Sequence, residues 1–281
     1  MMPNFSPPQE TFDGAFICAF GTLYSEEIHH IRKVGIGVMS NYSSYLPIVS
    51  SIVSFIFAFF VFKRYIARRG PHLLLWGIGL IFYGIGGFCE AYYTLLGWNP
   101  LVFRFWYLCG AILVAAWLGQ GTVYLLVRRP MVAHILMIIL GLASLFAAWQ
   151  VFHVQLDPSH MTSSVHTGSE LSGTAILSPG VRSLTPFFNA YGTVTLVGGA
   201  IYSAYIFWRK RVLPHRAVGN VLIATGAILP AFGGAFSRFG IPGALYWSEL
   251  LGAIIMFIGF VRATTPMAAK KVQERTELKP G

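Results

Sequence analysis

Residues 86–112 read "GGFCEAYYTLLGWNPLVFRFWYLCGAI" and set one acid, Glu90, and one base, Arg104, in a run that is otherwise apolar or aromatic. The stretches on either side, "PHLLLWGIGLIFYGI" and "LVAAWLGQGTVYLL", hold no Asp, Glu, Lys or Arg. Two apolar segments long enough to cross a bilayer therefore meet at the turn "GWNP". The rest of the chain has the same texture. Of 281 residues, 55% are apolar, 15% aromatic and only 11% charged, where a soluble domain would carry about a quarter charged. Seven such segments are read, at 45–62, 73–96, 101–127, 131–152, 187–208, 217–237 and 243–261. The expected fold is all-α, a polytopic membrane helix bundle of seven transmembrane helices.

The net charge of +10 would point to nucleic acid in a soluble protein, but here its location gives another reading. The connectors "KRYIARRGPH", "VRRP" and "WRKRVLPHR" and the tail from Arg262 hold four, two, four and five Lys or Arg, fifteen of the twenty. The other side holds Arg32, Lys33, Arg104, Arg182 and Arg238. The positive-inside rule places the first set in the cytoplasm, with the N-terminus outside and the C-terminus inside. A basic cytoplasmic face attracts anionic lipid, each Lys or Arg near the surface contributing about 1 kcal/mol. The lipid bilayer is thus the partner the charge implies, and nucleic acid is not.

Three regions flank or interrupt the bundle. Residues 1–44 form a polar N-terminal segment, in which "FDGAFICAFGTLY" is too short and wrongly flanked for a signal peptide. Met39 stands directly before "SNYSSYLPIVSS", where a chain of this kind can also begin, so residues before Met39 are expected to be either native or an overlong start. The transmembrane domain spans 45–262 and contains a long outer connector, 153–186, whose Ser, Thr, Gly and Pro content predicts disorder. A basic cytoplasmic tail follows at 263–281.

The two halves of the bundle have related texture. "FFVFKRYIARRGPH" and "AYIFWRKRVLPH" both end in Pro-His before an apolar segment, and Pro71 and Pro214 are 143 residues apart (214 − 71). "FYGIGGFCE" then answers to "PAFGGAFSR", and "FWYLCGAI" to "YWSELLGAI", in the same order. This suggests a parallel 3+1+3 repeat with segment four as the link. The alternative is that membrane helices share Gly, Ala and aromatic residues in any case.

Charges within the spans are the candidate site. Glu90 lies roughly 8 Å below the outer end of segment two, at about 1.5 Å per residue, and Arg104 begins segment three after a short turn, so the two are expected to meet. Arg238 and Glu249 repeat this arrangement in segments six and seven. Intramembrane charge costs about 3 kcal/mol on insertion scales unless it is paired or faces water. Two readings are open: ion pairs that pin the helix hairpins, or a polar pocket open to the outside that takes a small solute. Tyr83, Gly87, Glu90 and Thr94 share one helical face, and Trp117, Gln120 and Tyr124 another. Pro230 in "GAILPAFGG" removes a backbone donor and marks a hinge in segment six.

Other chemistry finds no support. No lysine falls within the spans as read, so a retinal Schiff base on the seventh helix is ruled out. No Ser, His and Asp set lies at one depth, and no HExxH or glycine-rich phosphate loop occurs. Cys18, Cys89 and Cys109 show no metal-ligand spacing, and no catalytic residue, metal or other cofactor is expected.

The runs "PHLLLWGIGL" and "WNPLVFRFWYLCGAILVAAWLGQGTVYLL" resemble an uncharacterised family of bacterial seven-helix membrane proteins with an FR-x-x-YL-x-GA-like core ending in LG-x-GT-x-YLL. The resemblance covers about a quarter of the chain. It implies a bacterial cytoplasmic (inner) membrane and a seven-helix bundle, and draws attention to Arg104, Tyr107, Gly110, Gly119, Gly121 and Tyr124, but brings no activity. The candidate ligand-binding residues are therefore Glu90, Arg104, Tyr107, Gln120, Tyr124, Arg238 and Glu249. The expected role is binding or transport of a small molecule; the alternative is a sensor or accessory subunit of a membrane complex. An enzyme is the least supported reading.

Overall fold

The structure is a computed structural model and describes residues 45–157, 171, 173–210, 214–239, 241 and 243–264. The expectations for residues 1–44 and for the tail beyond Thr264 lie outside the described residues. Seven helices are long and apolar enough to cross a membrane, the architecture of a multi-pass membrane protein. They are α1 (Leu46–Arg68), α2 (Pro71–Leu96), α3 (Pro100–Leu126), α4 (Pro130–His153), α5 (Pro179–Arg209), α6 (Pro214–Arg238) and α7 (Ala244–Thr264). Among the described residues there is no strand, only one isolated bridge between Leu156 and Ile176.

Five of the seven open on proline, Pro71, Pro100, Pro130, Pro179 and Pro214. Proline fits a first helical position, where its missing N–H is not needed and its φ is already helical. At α3 the Asn99 side chain completes the start by accepting from the amides of Leu101 at 2.9 Å and Val102 at 3.2 Å, two donors that no helical carbonyl can reach. The α2–α3 turn is closed by Gly97 at φ 83°, a left-handed conformation that glycine adopts without a Cβ penalty.

Two boundaries differ from the sequence reading. Helix α1 continues to Arg68, through basic residues whose long aliphatic stems tolerate the membrane edge. Helix α5 begins at Pro179 and carries Pro186 inside it, so its polar first two turns read as connector in sequence. The expected disorder of the 153–186 connector does not extend to its ends. Leu156, Leu171, Ala175 and Ile176 are buried in one apolar cluster with Tyr107 and Phe103 of α3, and the Asp157 amide donates to the Ala175 carbonyl at 2.9 Å. Residues 158–170 lie outside the described residues.

Six helices close a ring in the order α1, α2, α3, α5, α6, α7, with α7 returning to α1, and α4 packs outside it, chiefly on α3. Helix α4 accordingly turns Ile138, Leu142, Leu145 and Trp149 outward, an apolar surface of the kind that lipid covers. The basic residues from Lys63 to Arg69, Arg128, Arg129, Arg209 and Lys210 all fall at one end of the bundle, the end opposite the 97–99 turn. There the Arg64 guanidinium donates to the Thr264 carbonyl at 2.9 Å and ties α1 to α7.

Close helix contact is set by small residues. A Cβ placed on Gly86 of α2 would stand 3.0 Å from the Gly110 Cα of α3, and one on Gly226 of α6 would stand 2.6 Å from the Gly252 carbonyl oxygen of α7. Backbones that approach this far gain dispersion contact along their whole length, which is what holds helices together where lipid is as apolar as the side chains.

Candidate functional site

Inside the ring, α2, α3, α5, α6 and α7 surround a cavity of about 350 Å³. Helix α1 contributes no lining residue, because it lies behind α2 and α7. The cavity floor is apolar, formed by Leu118, Leu196 and Met256. Polar groups gather toward the end of the bundle that carries the 97–99 turn. They are Glu90 and Tyr83 from α2, Thr185, Asn189 and Thr193 from α5, and Glu249 from α7.

Helix α3 is locally rewound to build this wall. Residues Trp106–Leu113 form a π-helix, and three of them, Trp106, Gly110 and Ala111, face the cavity. Such segments are rare and break the ordinary register of side chains, which is why they recur at functional sites. The Ala111 carbonyl accepts from Asn189 Nδ2 at 3.2 Å, so the rewound backbone is tied to α5. The Trp106 indole N–H donates to Glu90 Oε1 at 2.8 Å.

Glu90 is 3% exposed, and its other oxygen, Oε2, has no hydrogen-bond partner of regular geometry. Its backbone carbonyl accepts from Thr94 Oγ1 at 2.9 Å. The carboxyl groups of Glu90 and Glu249 are close enough to interact with each other. Tyr83 fixes α2 against α7 by donating to the Glu249 backbone carbonyl at 2.9 Å. Tyr246, fully buried on α7, stands within electrostatic reach of both carboxyls. Among the described residues no Lys, Arg or His lines the cavity.

The expected Glu90–Arg104 pair is not formed. Arg104 instead extends its guanidinium across α4, donating to the Val154 carbonyl at 2.9 Å and to the Val151 carbonyl. These are carbonyls at a helix C-terminus, left without an amide by the end of the helix and favourable to a cation. Arg104 thus belongs to the α3–α4 contact. The short turn does bring the ends of α2 and α3 together, but Glu90 and Arg104 leave their helices in different directions, and the indole of Trp106 takes the place assigned to the arginine.

The remaining candidates separate in the same way. Glu249 lines the cavity with Glu90, and Pro230 also lies in its wall; α6 runs on through Pro230 as a helix. Tyr107 is buried in the α3–α5 contact, where its hydroxyl accepts from Thr185 Oγ1 at 2.9 Å. Gln120 is fully buried and joins three helices: its amide donates to the Ala133 carbonyl of α4 at 2.9 Å, and its Oε1 accepts from the Tyr191 hydroxyl of α5. Tyr124 stacks edge-on with His134 at 5.4 Å. None of these three lines the cavity. The Arg238 side chain lies outside the described residues.

Sequence reasoning passed over Trp106, Asn189, Thr185 and Thr193. A signal for Asn189 was present, as it is the only Asn or Gln in segment five, and an amide within a span needs partners. No signal pointed to Trp106, whose role depends on the π-helical rewinding. Among the described residues no group of three or more His, Cys, Asp or Glu is placed to hold a metal ion. Cys89 and Cys109 are both buried and free. No family model, curated protein or solved structure matches this chain.

Proposed function

We propose that this protein binds a small solute in the cavity between α2, α3, α5, α6 and α7, and carries it across the membrane. The observation that supports this most is Glu90, an acid almost wholly removed from solvent whose Oε2 has no hydrogen-bond partner of regular geometry among the described residues and stands beside an open volume. Leaving such an oxygen unsatisfied in apolar surroundings costs about 1–3 kcal/mol or more for a charged group, and polar or ionisable groups in a span are kept for function by default.

The positive-inside rule orients the bundle with the basic end in the cytoplasm and the polar part of the cavity toward the outside. Anionic lipid then gathers at the cytoplasmic face. The membrane is the bacterial inner membrane suggested by the family resemblance. A 3+1+3 repeat is consistent with a ring in which α1–α2–α3 is followed by α5–α6–α7, and with a glycine-on-glycine approach within each half, Gly86 to Gly110 and Gly226 to Gly252. Pro230, in the cavity wall, is the place where α6 would bend between two states of access.

Flux of a solute panel into proteoliposomes tests the reading. Saturable uptake by the wild type that Glu90→Gln abolishes supports transport. Saturable binding without flux supports the alternative, a membrane sensor or accessory subunit that uses the same cavity. Absence of both sets the reading aside.

A further inference from the structure

The chemistry of the cavity names a class of occupant. Resting on the binding role just proposed, we infer that the occupant is a small organic cation, an alkylammonium, with nitrogen against Glu90 Oε2 and Glu249 and hydrocarbon against Leu118, Leu196 and Met256.

Four observations carry this. Glu90 Oε1 already has the Trp106 indole N–H at 2.8 Å, whereas Oε2, with only the Glu249 carboxyl near, has no hydrogen-bond partner of regular geometry among the described residues, so a defined oxygen can take a further donor. A second carboxyl, Glu249, interacts with Glu90 in the same wall, and among the described residues no basic side chain lines the cavity. No counter-charge stands in the described wall, so a cationic occupant would meet both carboxyls; ionic hydrogen bonds between ammonium and carboxylate are about twice as strong as neutral ones. Trp106 and Tyr83 add aromatic rings to that wall, the side chains that favour organic cations.

The remainder of the lining argues against a hard divalent cation. A hard divalent cation asks for about six oxygen ligands, whereas the floor is hydrocarbon and no group of three metal-binding side chains is present among the described residues. An ammonium with a short apolar body uses both halves of the volume. The apolar contact of α5 with α6 is made by Val197 and Ala200 against Ala224, Ala227 and Ile228, near the middle of both helices. Beside it Thr193 and Ala231 line the cavity and are exposed, which makes the seam between these two helices the entry to test.

The test is isothermal titration of the full-length protein in detergent with n-butylammonium, n-butanol and butyrate at pH 7. The inference expects saturable binding of n-butylammonium, at least tenfold tighter than n-butanol, with no binding of butyrate. Glu90→Gln should weaken n-butylammonium at least tenfold, about 1.4 kcal/mol, and leave n-butanol unchanged. If Glu90→Gln does not fold, Glu249→Gln carries the same expectation. Ala231→Trp, at an exposed position on α6, should weaken every ligand that enters between α5 and α6. Arg238→Gln removes the base that ends α6: tighter n-butylammonium binding in this variant, with none in the wild type, would mean the chain supplies its own counter-charge and would overturn the inference. Equal binding of n-butanol and n-butylammonium, or preference for butyrate, overturns the cation class while the solute-binding reading stands. No saturable binding of any probe removes both.

Discussion

Arg104 separates the geometry seen here from the ion pair that its sequence position suggests, and a double-mutant cycle with Glu90 measures the difference. In the structure the guanidinium serves the Val151 and Val154 carbonyls at the end of α4. Hydrogen bonds from a charged donor contribute about 1.5–3 kcal/mol each. Because Arg104 is partly exposed, two bonds at the low end give about 3 kcal/mol for Arg104→Met. Arg104→Lys should recover about half, since a single ammonium cannot fork to two carbonyls as guanidinium does. Glu90→Gln acts in a different place, the Trp106 bond and the cavity. The two changes share no partner, so their effects should add within about 0.5 kcal/mol. The assay is unfolding of purified protein by SDS titration in mixed micelles, followed by circular dichroism, for wild type, both single variants and the double. A coupling above about 1 kcal/mol, or an Arg104→Met variant as stable as wild type, would refute the assignment of Arg104 to α4.

Three further expectations follow from packing. Gly226→Ala places a Cβ 2.6 Å from the Gly252 carbonyl oxygen, whereas a Cβ on Gly198 meets nothing within 4 Å. The first should cost about 1–3 kcal/mol as overpacking and the second should be neutral or stabilising by up to about 1 kcal/mol, both read by the same SDS titration. Gln120→Leu removes the extra donor to the Ala133 carbonyl and strands the Tyr191 hydroxyl, for a loss of about 1–3 kcal/mol; with Tyr191→Phe the two should be clearly non-additive. Leu142→Arg sets a charge on the exposed face of α4 near its middle, at about 3 kcal/mol on insertion scales. Glycosylation mapping should then report a fraction of chains in which α4 fails to insert, whereas Leu142→Phe should insert as wild type.

The elements that carry these contacts, and some of the residues in them, were already readable along the chain. The number and type of elements follow from local quantities, apolar run length and the placement of proline and charge, so the helices after α1, which runs on to Arg68, fall within a few residues of expectation except where α5 starts early at Pro179. That exception has a physical cause: "PGVRSLT" is polar, and a helix that begins outside the apolar layer has no hydropathy signal. Glu90, Glu249 and Pro230 were legible as candidates because each is costly or unusual within a span.

What they face was not legible. Whether Glu90 meets Arg104 or Trp106 depends on the rotation of α2 against α3, and that rotation is set by the Gly86–Gly110 approach and by the π-helical segment Trp106–Leu113. The wider register of that segment turns Trp106 toward Glu90 and leaves Arg104 free to reach α4, and no periodicity in the sequence announces it. The sequence by itself determined an apolar seven-helix chain with acids inside it. Only the tertiary structure decided that the acids share one cavity, because a helical wheel defines a direction only relative to its own axis and packing alone relates one axis to the next.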